Sequence, residues 1–188
     1  MQTIYENFLE NITDNAQLMA LFKYCSRVEH VTIVGFGTGM STLTAMAAGP
    51  KIINIYDHQL YDISEYQQVA VDNGIELKFY NQMVLSSVIN KTDLLYVDSF
   101  AEGNFVYNVC FKNHHQVNRY MLVNNTVRFA HKADNAVQMS DPSQAIGVVF
   151  GLNSFIQQID NWHIAENFYW EPGITALFNR RNLTDDGR

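Results

Sequence analysis

Apolar positions along this chain follow two periodicities that take turns. Over residues 3–25, Ile4, Phe8, Ile12, Leu18, Leu21 and Phe22 stand mostly three or four apart, which predicts a helix with one buried face. Short runs rich in β-branched and aromatic side chains then recur at residues 31–34, 52–56, 75–80, 94–97 and 120–123, and read as strands. Three of these runs are almost uniformly apolar, as parallel strands covered on both faces are. The stretches between them, residues 41–48, 64–72, 83–89 and 105–118, read as crossover helices. Such alternation predicts an α/β fold: a Rossmann-like, doubly wound, mostly parallel sheet inside a three-layer αβα sandwich.

The pattern changes toward the C-terminus. Residues 144–160 space Ile146, Val149, Phe150, Leu152, Phe155 and Ile156 as an amphipathic helix. Residues 164–170 and 174–179 then flank Glu171-Pro172-Gly173, a turn sequence, and predict a β-hairpin. Hairpin strands run in opposite directions, so the sheet must end with a reversed strand. With no repeat, no low-complexity stretch and no proline in a linker-like context, residues 1–188 are expected to form one domain. Residues 1–27 would be an N-terminal helical segment. Residues 126–144 lack periodicity, and a connection of that length is expected to cover a substrate.

Composition narrows the function classes. Hydrophobic residues make up 47% and charged ones 16%, enough to build a core and to exclude whole-chain disorder. Twelve Lys and Arg against nineteen Asp and Glu leave a net charge of -7, so a nucleic-acid partner is not expected. Cys25 and Cys110 are far apart and suit buried thiols in a reducing compartment. No apolar run approaches the ~20 residues of a membrane span. Glu6, Glu10 and Asp14 stand where a signal peptide would be basic, so the expected location is cytoplasmic.

The sharpest local signal is Val31-Thr-Ile-Val-Gly35-Phe36-Gly37-Thr38-Gly39-Met-Ser41-Thr42. Glycines after a buried strand let the backbone turn tightly and approach a ligand, and the following helix N-terminus offers free N–H groups. The alternative is a Gly-rich turn that binds nothing. The spacing is G-x-G-x-G, not the dinucleotide fingerprint G-x-G-x-x-G, because position 40 is Met. Asp57 ends the next strand, where a carboxylate can accept hydrogen bonds from both hydroxyls of an adenosine ribose. Loop and acid together point to a nucleoside-containing cofactor.

On these residues the chain, from about position 28 to 181, resembles the class I S-adenosylmethionine-dependent methyltransferases, especially the small catechol O-methyltransferase-like and sugar O-methyltransferase-like members. The resemblance implies that Gly35, Phe36, Gly37, Thr38 and Gly39 wrap the methionine part of S-adenosylmethionine and that Asp57 holds the ribose. His58, beside that acid, is a candidate to line the adenine pocket, with a solvated loop histidine as the alternative, and Gln82 and Asp98 are also counted as cofactor contacts. The chain departs from the family at Ile33, where an acidic residue is usual. Catechol O-methyltransferase-like enzymes bind magnesium through an Asp after the fourth strand and an Asp-Asn pair after the fifth. Those positions are Asp98, Asn124 and Asn125, which implies a possible Mg²⁺ site with one carboxylate replaced by an amide. A turn or helix-cap role for the Asn pair is the alternative. The lysine of those enzymes is replaced by Ala101.

Methyl transfer needs an aligned nucleophile and a group to take its proton. Asp98 is the first choice for that group and His131, in the segment after the fifth strand, the second. His114 and His115 have no carboxylate or Cys partner at ligand spacing and are given no metal role. The expected activity is O-methylation of a small-molecule or sugar acceptor. The alternatives are a non-catalytic domain that binds the cofactor or its demethylated product, and an NAD-dependent oxidoreductase, which the glycine spacing and terminal hairpin disfavour. Phe168, Tyr169 and Trp170 leave a homodimer interface or a core role open.

Overall fold

The computed structural model of the protein describes residues 4–134 and 146–182. Helices α1 (Ile4–Asn11) and α2 (Ala16–Cys25) precede β1 (His30–Val34), α3 (Met40–Ala48), β2 (Ile52–Asp57), α4 (Ser64–Asp72) and β3 (Glu76–Asn81). Then follow β4 (Thr92–Val97), α5 (Gly103–Asn113), β5 (Val117–Asn124), α6 (Val148–Gln158), β6 (Trp162–Phe168) and β7 (Ile174–Asn179). The seven strands form one sheet in the order β3-β2-β1-β4-β5-β7-β6. Only β7 is reversed: it pairs antiparallel with β5 on one side and with β6 on the other. The doubly wound sheet and its terminal hairpin match the sequence pattern.

Period-two alternation divides the core. Val31, Ile33, Ile53, Ile55, Leu94, Tyr96 and Leu122 face one side and pack under α1 to α4. Val34, Tyr56, Leu95, Val97, Met121 and Val123 face the other and pack under α5 and α6. Parallel strands buried on both faces must be apolar at every position, which is why these runs read as continuous in the sequence.

Three predicted elements differ. Residues 3–25 form two helices, because Asn15 takes an extended conformation and its side chain accepts the Leu18 N–H at 3.1 Å, capping a new helix. Residues 83–89 hold only a 3-10 turn, Val84–Ser86. That segment is tied to α5 instead: Lys112 donates to the Leu85 carbonyl at 2.6 Å, and the Ile89 N–H donates to Asn113 Oδ1 at 3.1 Å. The helix predicted over 105–118 ends at Asn113, and β5 already begins at Val117. The predicted covering loop is described only as far as residue 134; residues 135–145 lie outside the described residues.

The strand order also positions the site. From β1 the chain steps outward to β2 and β3, then returns to β4 on the opposite flank of β1. Loops after β1 and β4 therefore diverge and open a crevice at the carboxyl ends of the strands, where open α/β sheets bind ligands. Among the described residues, no helix is long and apolar enough to cross a membrane.

Candidate active site

The glycine loop leaves β1 at the mouth of that crevice. Gly35, Gly37 and Gly39 have φ of +99°, +53° and +78°, a region that L side chains rarely adopt. A Cβ on Gly35 would overlap the Asp98 carbonyl, and one on Gly39 would overlap the Tyr66 ring and hydroxyl. Gly37 faces open space. No side chain caps α3, whose N-cap is Gly39, so its first-turn N–H groups have no side-chain partner.

Asp57 is the last residue of β2 and is buried. Its Oδ2 accepts the Phe36 N–H at 2.8 Å, and its Oδ1 accepts the Gln59 N–H at 2.8 Å. The carboxylate thus clamps the glycine loop to the loop after β2. A carboxylate offers about four lone-pair sites, so two backbone donors leave room for two more. His58 Nδ1 lies 3.3 Å from Asp57 Oδ1, and the His58 ring stands 5.4 Å from that of Phe100.

Asp98 follows β4 directly across the crevice. Its Oδ2 accepts the Ser41 hydroxyl at 2.6 Å, and its Oδ1 accepts the Asn124 amide at 2.5 Å. Burial raises the Asp98 pKa above the usual aspartate range, against the lowering effect of these two hydrogen bonds. Behind it sits the fully buried Tyr96, whose hydroxyl accepts from Gln17 of α2 at 3.1 Å. The N-terminal helices thereby help to hold the floor of the site.

A cleft of about 480 Å³ joins these parts. Gly35, Gly37, Asp57, His58 and Asp98 of the predicted set line it, as does Asn125. Six predicted residues, Phe36, Thr38, Gly39, Gln82, Asn124 and His131, are not among those lining the cleft. The Phe36 ring is buried against Tyr61, Tyr66 and Phe79 at 4.8, 5.0 and 6.0 Å, so it anchors the loop from below. Thr38 is exposed, and its carbonyl accepts the Tyr66 hydroxyl at 3.1 Å. Gln82 is not among the residues lining the cleft. His131 is also outside the lining; it is exposed, with its ring 6.0 Å from that of Phe150. Ile33 is fully buried in the core and contributes packing alone.

The cleft also takes residues that sequence patterning did not single out: Tyr61, Ser99, Phe100, Arg128 and Phe129 line it, and Ser41 bonds Asp98. Ser41 was legible only as the residue after the loop; nothing in its spacing pointed to a carboxylate 57 positions away.

The fit of the two implied groups differs. The side-chain-free Gly37 face, the uncapped start of α3 and the spare lone pairs of Asp57 suit an adenosyl compound with a carboxylate. The magnesium set does not fit. Asn124 turns its N–H, not its oxygen, toward Asp98, which leaves Asp98 as the one carboxylate of the set. A hard cation asks for several oxygens, and carboxylates first. Among the described residues no group of three His, Cys, Asp or Glu could hold a metal ion. Both cysteines are buried, and burial pushes the Cys110 thiol up to about 12, so neither is a reactive thiolate.

No protein-family model and no curated protein matches the sequence. Solved structures do match the fold. A ribosomal protein L11 methylase from Lactobacillus delbrueckii subsp. bulgaricus superposes with a TM-score of 0.58 at 16% identity, covering 88% of this chain and 79% of that one. Magnesium protoporphyrin IX methyltransferase from Synechocystis, solved with bound SAM, gives 0.59 at 11% identity, covering 94% and 84%. A Staphylococcus aureus protein, itself assigned only by inference as a caffeoyl-CoA O-methyltransferase, gives 0.65 at 11% identity, covering 88% and 84%. The chain has the fold of the class I S-adenosylmethionine-dependent methyltransferases.

Proposed function

We propose that this protein is an S-adenosylmethionine-dependent methyltransferase that methylates an oxygen of a small-molecule or sugar acceptor. The observation that carries this reading is one cleft at the switch point of the sheet, lined together by Gly35 and Gly37 of the glycine bend, the buried Asp57 carboxylate and Asp98. The Synechocystis methyltransferase holds SAM in one structure and SAH in another, which supports the same cofactor here.

Bound in this cleft, S-adenosylmethionine would supply a methyl group made electrophilic by its sulfonium centre. The chain's own residues do the rest. Asp57 accepts the ribose hydroxyls on the lone pairs that Phe36 and Gln59 leave free. The uncapped N–H groups of α3 meet the methionine carboxylate. Asp98 accepts the proton of the acceptor hydroxyl, and its raised pKa makes it a stronger base than an ordinary aspartate. Ser41 and Asn124 hold both of its oxygens in place. Activity should therefore rise with pH as Asp98 ionises. Exposed Tyr169 and Trp170 beside the β6 edge offer a homodimer contact, which light scattering would read directly.

Calorimetric titration with S-adenosylmethionine, its demethylated product and NAD tests the cofactor. The two sulfur compounds should bind and NAD should not, and Asp57→Asn should weaken binding about 10- to 100-fold. Failure to bind S-adenosylmethionine, or an unaffected variant, overturns the reading. A second reading, a binding domain without turnover, draws on the loss of the acid at Ile33. Release of demethylated product over a panel of hydroxylated acceptors separates the two. Asp98→Ala should then abolish turnover while keeping most of the cofactor affinity.

A further inference from the structure

We infer that the methyl acceptor carries an oxyanion, a carboxylate or phosphate, and that Arg128 is the residue that recognises it. This inference rests on the methyltransferase reading and specifies its substrate class.

Arg128 lines the same cleft as Asp57 and Asp98, together with Asn125 and Phe129 of its own segment. The lining carries three carboxylates, from Asp57, Asp98 and Asp134, and Arg128 is the one arginine or lysine there among the described residues. In a chain of net charge -7, a lone cation at the ligand cleft is conspicuous by its chemistry. Among the described residues no carboxylate lies within ion-pair distance of its guanidinium. The guanidinium carbon stands 5.3 Å from the centre of the Phe129 ring. A guanidinium over a ring keeps its in-plane N–H donors free for a planar, two-oxygen partner.

The backbone under Arg128 is held on several sides. Its N–H and that of Val127 both donate to the Pro172 carbonyl, at 3.1 and 3.0 Å, and the Thr126 N–H donates to Gly173. The Phe129 N–H donates back to Asn125, which has a left-handed φ of +64°, and the Phe129 carbonyl accepts from Val148 at the start of α6. Thus the turn of the β6–β7 hairpin and the N-terminus of α6 fix the segment that presents the arginine. With the backbone fixed this way, only the exposed arginine side chain has to order on an anion. Asp98 lines the same cleft, so an oxyanion seated at Arg128 leaves another part of the same small molecule to present its hydroxyl there.

The test uses the protein saturated with demethylated cofactor. Benzoate, phenyl phosphate and neutral benzamide are titrated into wild type, Arg128→Gln and Arg128→Lys. In wild type an anionic probe should bind about tenfold more tightly than benzamide. The benzoate and phenyl phosphate arms tell which oxyanion is preferred. Arg128→Gln should erase the difference and Arg128→Lys keep part of it, with cofactor affinity within about twofold of wild type in both. Equal affinity for the three probes, a preference that survives in Arg128→Gln, or a large loss of cofactor affinity in that variant would overturn the assignment. The last result would give Arg128 to the cofactor's own carboxylate. A wild-type protein that takes up no demethylated cofactor removes the methyltransferase reading, and this inference with it.

Discussion

Asp98 combines two opposing demands. Burial makes its charge costly, while Ser41 and Asn124 donate to both of its oxygens and keep that charge within reach. Because its folded pKa is raised, the folded state holds the proton over a pH range where the unfolded chain has lost it. Stability therefore falls as pH rises from the ordinary value of 3.8 through the raised value. Urea midpoints of wild type and Asp98→Asn, compared between about pH 4 and 7, should show wild type losing ground to the variant as pH rises. A constant difference would mean that Asp98 does not titrate in this window. The glycines separate in the same way. Gly39→Ala forces a methyl into Tyr66 at a φ of +78°, so it should cost about 1–3 kcal/mol of stability by thermal melt. Gly37→Ala meets no neighbour within 4 Å, so it should cost only the strain of its φ of +53°, and its added methyl on the cleft lining should weaken cofactor binding.

At the scale of elements, caps and tethers decide where periodic segments stop. Asn15 splits an apparently continuous amphipathic run into two helices, and α2 then delivers Gln17 to Tyr96 below the site. Removing the cap with Asn15→Ala should cost about 1 kcal/mol, seen as a melting temperature lower by roughly 2–4 °C. No change would mean that the α2 start is held by packing alone. The β6–β7 hairpin has a comparable part. Its turn supplies the Pro172 carbonyl that anchors Val127 and Arg128, so the reversed strand of the sheet also shapes the cleft wall.

Across the whole molecule, one sheet carries two apolar layers, and the crevice opens only because both halves are packed. Phe155 of α6 and Trp162 of β6 are fully buried in the layer under α5 and α6, their rings 6.3 Å apart. Phe155→Ala should cost about 3–5 kcal/mol, a large fraction of the roughly 5–15 kcal/mol that holds such a domain. The urea midpoint should drop accordingly. A shift below about 1 kcal/mol would show that this layer re-closes around the gap.

What could be read from the sequence was local in origin. Alternation of apolar runs identified the strands and the reversed hairpin, and glycine spacing with Asp57 identified one wall of the cleft. Those features depend on neighbours a few positions away, or on one strand-to-strand step. Tertiary structure decided everything that depends on distant partners. It turned the Phe36 ring into the core, left Gln82 and His131 off the cleft lining, and joined Ser41 and Asn124 to Asp98. It also set Arg128 into the same cleft as Asp57. Strand order and register bring such residues together across dozens of positions, and no periodicity records which side chains will meet there.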